Sequence, residues 1–155
     1  VEIKIRKGNE KDIKAVFGLI KELADYEKSI HELENSEEEM LADGFGENSI
    51  YKFIIAESGN EIIGMALYYI AYSTWKGRCL YLEDLVVSES WRGKGIGQKL
   101  FDRIVEITRE ENTNRLMWQV LDWNEPAINF YKKNGTKFFD NWINCRLTKK
   151  QLDEY

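Results

Sequence analysis

Tyr81-Leu82-Glu83-Asp84-Leu85-Val86-Val87, followed after Ser88-Glu89-Ser90-Trp91 by Arg92-Gly93-Lys94-Gly95-Ile96-Gly97, is the stretch on which the fold turns. Its first part lies in a nearly continuous apolar run from Arg78 to Val87, as expected of a strand at the centre of a sheet. Its last part sets three glycines at alternate positions before Ile96, Leu100, Ile104 and Ile107, which mark one face of an amphipathic helix ending around Glu111-Asn112. Such glycines free the backbone for positive φ and let a ligand approach the main chain. The helix start beyond them offers unpaired N–H groups and the positive end of a dipole, so the unit reads as a pyrophosphate site with Arg92 and Lys94 at its rim. It is not a Walker A loop, because no Gly-Lys-Ser/Thr follows at the required spacing, and its G-x-G-x-G order at mid-chain is not a dinucleotide fingerprint. A glycine turn without a ligand is the remaining alternative.

Outward from this unit the chain alternates strands and helices. Residues 2–6 read as a strand; Asn9 caps a helix marked by Ile13, Val16, Phe17, Ile20, Leu23 and Ala24 that fades near Tyr26-Glu27. Ser36-Glu37-Glu38-Glu39 resembles a capping box opening a short helix through Leu41 that stops at Asp43-Gly44. Tyr51–Glu57 and Ile62–Tyr72 read as strands around a Ser58–Glu61 hairpin turn. Beyond the glycine-loop helix come a strand over Leu116–Leu121, a helix over Asn124–Lys133 with Gly135 as its stop, and closing strands over Lys137–Phe139 and Ile143–Leu147. Hairpin-linked strands in the middle and helix-linked strands at the end predict a mixed α/β sheet covered on both faces. With 155 residues, one proline and no linker-like stretch, a single domain over 1–155 is expected.

Composition narrows the function classes. The net charge of −5 argues against a general nucleic-acid binder and suits a cationic small molecule, or else only maintains solubility. No secretory leader or membrane-length apolar run is visible, and Cys79 and Cys145 read as reduced, half-buried thiols, so a cytoplasmic protein is expected. The single histidine, His31, has no companion ligand nearby, so no metal site is expected.

The glycine loop resembles the coenzyme A pyrophosphate loop of the GNAT superfamily of N-acetyltransferases. Tyr81–Val87 resembles that superfamily's fourth strand, and Asn124-Glu125-Pro126-Ala127-Ile128-Asn129-Phe130-Tyr131-Lys132-Lys133-Asn134-Gly135 resembles its N-x-x-A-x-x-F-Y-x-x-x-G segment. Ile20–Glu27, Asp43–Gly46, Tyr81–Asp84 and Trp123–Pro126 together look like the spermidine/spermine branch, which includes enzymes acting on thialysine and related amino acids. The resemblance implies a GNAT-type mixed, largely antiparallel central sheet flanked by helices on both faces, acetyl-CoA as co-substrate, and a homodimer. It implies coenzyme contacts from Leu85, Val86, Val87, Arg92, Gly93, Lys94, Gly95, Ile96, Gly97, Gln98, Asn124, Ala127, Asn129 and Lys132.

A protonated alkylamine, with a pKa of about 10.4, must lose a proton before attacking a thioester. Glu83 sits in an apolar strand where partial burial would raise its pKa, and it is expected to be the general base, acting through a water, or else only to bind the cation. Asp84 is expected on the opposite face by strand alternation unless a bulge intervenes, and it is secondary. A backbone N–H of Leu85, Val86 or Val87 is available to an oxyanion. The resemblance places Tyr131 as the acid for the leaving thiolate, on one helix face with Ala127 and Asn124; a core tyrosine beside Phe130 is the alternative.

Tyr26 and Glu27 match the branch's substrate-facing pair, an aromatic face beside a carboxylate, and Trp118 joins them as an acceptor contact. The branch's polyamine enzymes carry an acidic residue before a Trp-Arg-Leu near the end. Here Ile143 stands at that position and Cys145 replaces the tryptophan, which favours a shorter cation such as a diamine or a thialysine-like amino acid, with Asp140 as the alternative acid for that position. A non-catalytic coenzyme A-binding module and an acetyltransferase acting on protein amines are the competing readings.

Overall fold

Five strands in the order β1-β2-β3-β4-β5 organise the chain: β1 (Lys4–Lys7), β2 (Lys52–Ser58), β3 (Glu61–Ser73), β4 (Gly77–Val87) and the short β5 (Leu116–Met117). Neighbours run antiparallel except β4 and β5, which are parallel. The computed structural model describes residues 2–155. They form two compact units, one running to Gln119, which holds the sheet, and the other Val120–Tyr155.

Alternation along the strands sends apolar side chains to both faces. On one face Phe53, Ile55, Met65, Leu67 and Val86 pack with Ile13, Val16, Phe17 and Leu19 of helix α1 (Ile13–Tyr26) and Met40 of α2 (Glu37–Phe45). On the other lies α3 (Ile96–Glu110), whose Ile96, Leu100 and Ile104 are fully buried. Gly64 permits this approach: a Cβ there would stand 3.1 Å from Leu100 Cδ1 and 3.1 Å from the Val86 carbonyl. The predicted mixed sheet with helices on both faces is therefore what the first unit contains.

The start of α1 is held by charge. Asn9 caps the turn before it, and Asp12 completes a capping box by accepting the Asn9 N–H. Asp12 is almost wholly buried and pairs with both terminal nitrogens of Arg6 at 2.8 and 2.9 Å, while Arg6 also donates to Glu57 of β2. Arg6 holds the Asp12 carboxyl below its ordinary value of 3.8. A lowered carboxylate pKa stabilises the fold above the unfolded value, and that stability is lost as pH falls through the folded one. Arg6→Ala strands a buried carboxylate, and denaturant unfolding near neutral pH is expected to show a loss of about 3 kcal/mol that shrinks below pH 4.

Several expectations are corrected. The expected strand over Leu116–Leu121 is reduced to Leu116–Met117, and β4 pairs it only at Leu80 and Tyr81. The second unit consists of α4 (Glu125–Lys133), α5 (Lys149–Glu154) and connecting chain, with no strand over Lys137–Phe139 or Ile143–Leu147. Those segments carry strand-like patterning, but a strand needs a ladder partner and the unit supplies none. Helix α2 runs through Gly44 to Phe45 rather than stopping at Asp43-Gly44, and its Ser36 makes only the forward half of a capping box, accepting from the Glu39 N–H. The thiols are not half-buried: Cys79 lies in the core and Cys145 is exposed, and both are free.

Candidate active site

The decisive local feature is an extra residue in β4. Leu67 of β3 opposes Asp84 and Tyr68 opposes Leu82, leaving Glu83 as a bulge between them. Leu67 and Tyr69 are two apart on β3 and share the face that carries α1, so their partners Asp84 and Tyr81 share it too. Glu83 joins them there, because its Oε2 accepts the Tyr69 hydroxyl at 3.2 Å. The expectation that Glu83 and Asp84 face opposite ways is thus corrected: the bulge resets the alternation and turns both carboxylates to one side. The tyrosine rings behind them stack, with centroids 5.3 Å apart.

Glu27, at the C-terminus of α1, is the third carboxylate of this group, and its charge raises the Asp84 pKa. Helix α1 has no basic residue in its last turn, so its terminal carbonyls add negative potential here. Burial raises the Glu27 pKa, and burial, with the charges of Glu83 and Glu27, pushes Asp84 up to about 7. The expected partial burial of Glu83 is corrected: Glu83 is exposed, and the half-buried member of the pair is Asp84. Tyr69 and Tyr81, which sequence reading passed over, line the same group; burial and the Glu83 charge push Tyr69 up to about 12 and raise Tyr81. The signal for them is the period-two spacing that sets Tyr69 two residues from Leu67 on the helix-covered face.

The glycine loop lies at the end of the same strand. Gly93 and Gly95 have φ of +76° and +80°, and Gly95 caps α3. A Cβ on either would meet no atom within 4 Å, and one on Gly97 would meet only Val87 at 3.9 Å. The loop is therefore an open cradle at the start of a 15-residue helix, which fits a pyrophosphate. Ile96 contributes backbone only, since its side chain is in the core. Gln98 donates to Asp102 at 2.8 Å. Beyond Tyr81 the outer edge of β4 carries no further pairing with β5, so Leu82 to Val87 present backbone groups along that edge.

The two rim cations are exposed but held by neighbouring groups. Arg92 Nε donates to the Val87 carbonyl at 3.0 Å, and its guanidinium lies 5.1 Å from the centre of the Tyr26 ring and 3.7 Å from Glu22. Glu22 also accepts the Glu89 N–H at 2.7 Å, so the end of α1 and the glycine loop are tied together. Lys94 lies over Trp91, 4.8 Å from its ring centre. Trp118 packs edge-on against Phe101 of α3, at 5.4 Å between ring centres.

In the second unit, Asn124 caps α4 by accepting the Ala127 N–H at 3.4 Å, with Pro126 in the first turn. Asn124 and Tyr131 are buried and Ala127 is half-buried, as one shared helix face requires, whereas Asn129 and Lys132 are exposed. Tyr131 meets Phe130 edge-on at 5.3 Å. Among the described residues no cluster of three or more His, Cys, Asp or Glu is arranged to hold a metal, and no helix is long and apolar enough to cross a membrane.

Residues 17–136 match the Acetyltransferase (GNAT) family. The chain is 41% identical to the bovine (Bos taurus) thialysine N-epsilon-acetyltransferase, over 87% of this chain and 84% of that one. It is 36% identical to the mouse (Mus musculus) protein of the same name, over 97% and 95%. Among solved structures, an integron cassette protein from the mobile metagenome of V. cholerae superposes with a TM-score of 0.81 at 28% identity, covering 99% of this chain and 97% of that one.

Proposed function

Because the chain belongs to the GNAT acetyltransferase family, we propose that it moves an acetyl group from acetyl-CoA to a primary amine of a small cationic acceptor, such as a thialysine-like amino acid, a diamine or a polyamine. The observation that carries the acceptor class is the group of Glu27, Glu83 and Asp84 with Tyr69 and Tyr81. Three carboxylates converging beside a helix C-terminus form a field for an ammonium ion, and the aromatic faces give its alkyl chain a surface. Thialysine and related amino acids carry such a terminal amine, and the curated relatives are named for that reaction.

Acetyl-CoA supplies the activated acetyl thioester. The residues that would hold it are the open cradle from Arg92 to Gln98, through the backbone of Gly93, Gly95, Ile96 and Gly97, together with Lys94. Beyond its pairing with β5, β4 offers main-chain groups at Leu85, Val86 and Val87, of which the Val87 carbonyl already accepts from Arg92, and one N–H there is the donor for a developing oxyanion. From the second unit, Asn124, Ala127, Asn129 and Lys132 are the contacts assigned to the coenzyme, and the Tyr131 hydroxyl holds the proton that the departing sulfur takes up. The carboxylates orient the amine, and one of them takes its proton. The catalytic unit is a homodimer in this reading.

Release of free coenzyme A thiol, followed with a chromogenic trap over thialysine, lysine, ornithine, diamines, spermidine, spermine and basic peptides, tests the proposal. Turnover is expected on small amines carrying a free terminal ammonium, with short acceptors ahead of spermine. Turnover confined to peptides would replace the acceptor class, and silence across the panel would leave a coenzyme-binding module.

A further inference from the structure

We propose that Asp84, rather than Glu83, takes the proton from the acceptor's ammonium, and that Glu83, held by Tyr69, anchors the cation. This rests on the amine-acetylating reading above. The geometry separates the two carboxylates by surroundings even though the bulge turns them to the same side. Glu83 is exposed and hydrogen-bonded by the Tyr69 hydroxyl at 3.2 Å, and Tyr69 is itself stacked on Tyr81, so this carboxylate is fixed and in contact with water. Asp84 is half-buried opposite Leu67, deeper on the strand and towards α1, with no ion-pair partner among the described residues.

The groups that face Asp84 are Glu27 from the end of α1 and Glu83 and the Tyr81 phenol from β4, with the Tyr69 phenol of β3 reaching it through Glu83. Arg92, a cation at the glycine loop, lies over Tyr26 and beside Glu22. A carboxylate withdrawn from water and flanked by two acids gains by accepting a proton, and the consequence is a carboxyl that titrates at about 7. That is the range in which a general base serves an enzyme working near neutral pH. The different environments of two neighbouring carboxylates divide the work between them.

The step balances. The ammonium N–H bond breaks to an Asp84 oxygen and leaves a nitrogen lone pair. That pair forms the bond to the acetyl carbon as the carbon–sulfur bond breaks. The sulfur leaves with the bonding electrons and takes the Tyr131 proton, the second amine proton returns to Tyr131, and Asp84 releases its own to solvent.

Two readouts test this with the whole protein. In the free enzyme, carboxyl carbon shifts of 13C-labelled aspartate followed against pH should show one resonance titrating near 7 that disappears in Asp84→Asn. In turnover, kcat/KM for the amine should fall below that pH in the wild type. Asp84→Asn should lose that acidic limb and about 10²- to 10³-fold in kcat, with the amine KM changed little. Glu83→Gln should keep the limb but move it to lower pH, since the Glu83 charge no longer raises Asp84, and raise the amine KM about tenfold; Tyr69→Phe should raise the KM more weakly. An aspartate resonance that titrates only in the ordinary acidic range, or an acidic limb abolished by Glu83→Gln and kept by Asp84→Asn, overturns the assignment and leaves acetyl transfer standing. A wild type with no amine turnover, whatever the resonance does, removes the reading beneath it.

Discussion

Tyr131→Phe is expected to lower kcat by on the order of 10²- to 10³-fold while the KM values for acetyl-CoA and the amine stay within about twofold, the loss typical of removing one positioned general acid. The side chain is 8% exposed and its ring meets Phe130, so phenylalanine fills the same space and leaves no cavity. Asn124 still caps α4, and the coenzyme cradle lies in the other unit. The thermal midpoint should therefore hold, separating a chemical loss from a folding loss. A thiolate leaving group needs less help than an amine would, so acyl donors with more basic thiols should be hurt more. If Tyr131 is only a core tyrosine, kcat will be retained; equal loss in every parameter together with a lowered midpoint would point the same way.

Glu27→Lys should have an effect of similar size on a different parameter. Lysine at this position sets a positive charge among Glu83 and Asp84, where the acceptor's ammonium is to lie, so kcat/KM for cationic acceptors should fall at least 10²-fold. Lysine near the C-terminus of α1 favours the helix dipole, so destabilisation is not expected to confuse the result. Glu27→Gln, which removes the charge without reversing it, should cost about tenfold. Acetyl-CoA KM should change much less, because the proposed coenzyme contacts are main-chain groups of the glycine loop rather than Glu27. Initial rates at fixed saturating acetyl-CoA and varied amine, at two ionic strengths, measure this; salt should weaken wild-type acceptor binding and leave the lysine variant nearly unaffected.

The parts of this architecture that depend on local pattern were legible in the chain. Apolar, strand-like runs between turn residues placed β2, β3 and β4 within a residue or two, and the Ser58–Glu61 turn fits Gly59 with φ of +60°. The glycine loop was legible because positive φ at Gly93 and Gly95 demands glycine, and the spacing of Ile96, Leu100 and Ile104 fixes the buried face of α3. What escaped depends on partners distant in sequence. Strand alternation could name a bulge as the exception but not locate it, because an inserted residue is fixed by the pairing with β3; the burial therefore went to the wrong carboxylate. Tyr69 gained meaning only from its pairing with Tyr81 across the hairpin. Arg92 was legible as a rim cation, but its contacts with the Tyr26 ring and with Glu22 of α1 depend on residues far away in sequence. Lys137–Phe139 and Ile143–Leu147 have strand-like composition, yet composition does not supply the second strand that their hydrogen bonds require.

The departure at Ile143 and Cys145 bears on acceptor length. Ile143 is 87% exposed and offers no charge to a second ammonium, so in the proposed reading recognition of the acceptor falls to Glu27, Glu83 and Asp84 at one end of α1, with Asp140 the alternative acid for that position. A short acceptor with one terminal amine meets all of that group, whereas the far ammonium of a long polyamine gains little from it.

The central claim is tested most directly by mass analysis of a thialysine or lysine acceptor incubated with acetyl-CoA and the protein, with free thiol counted in the same tube. The account predicts one acetyl group on the terminal amine nitrogen for each thiol released, and no thiol release above background without the amine. Thiol released at the same rate with and without the amine, or acetyl-CoA bound tightly with no acetylated product, would contradict it.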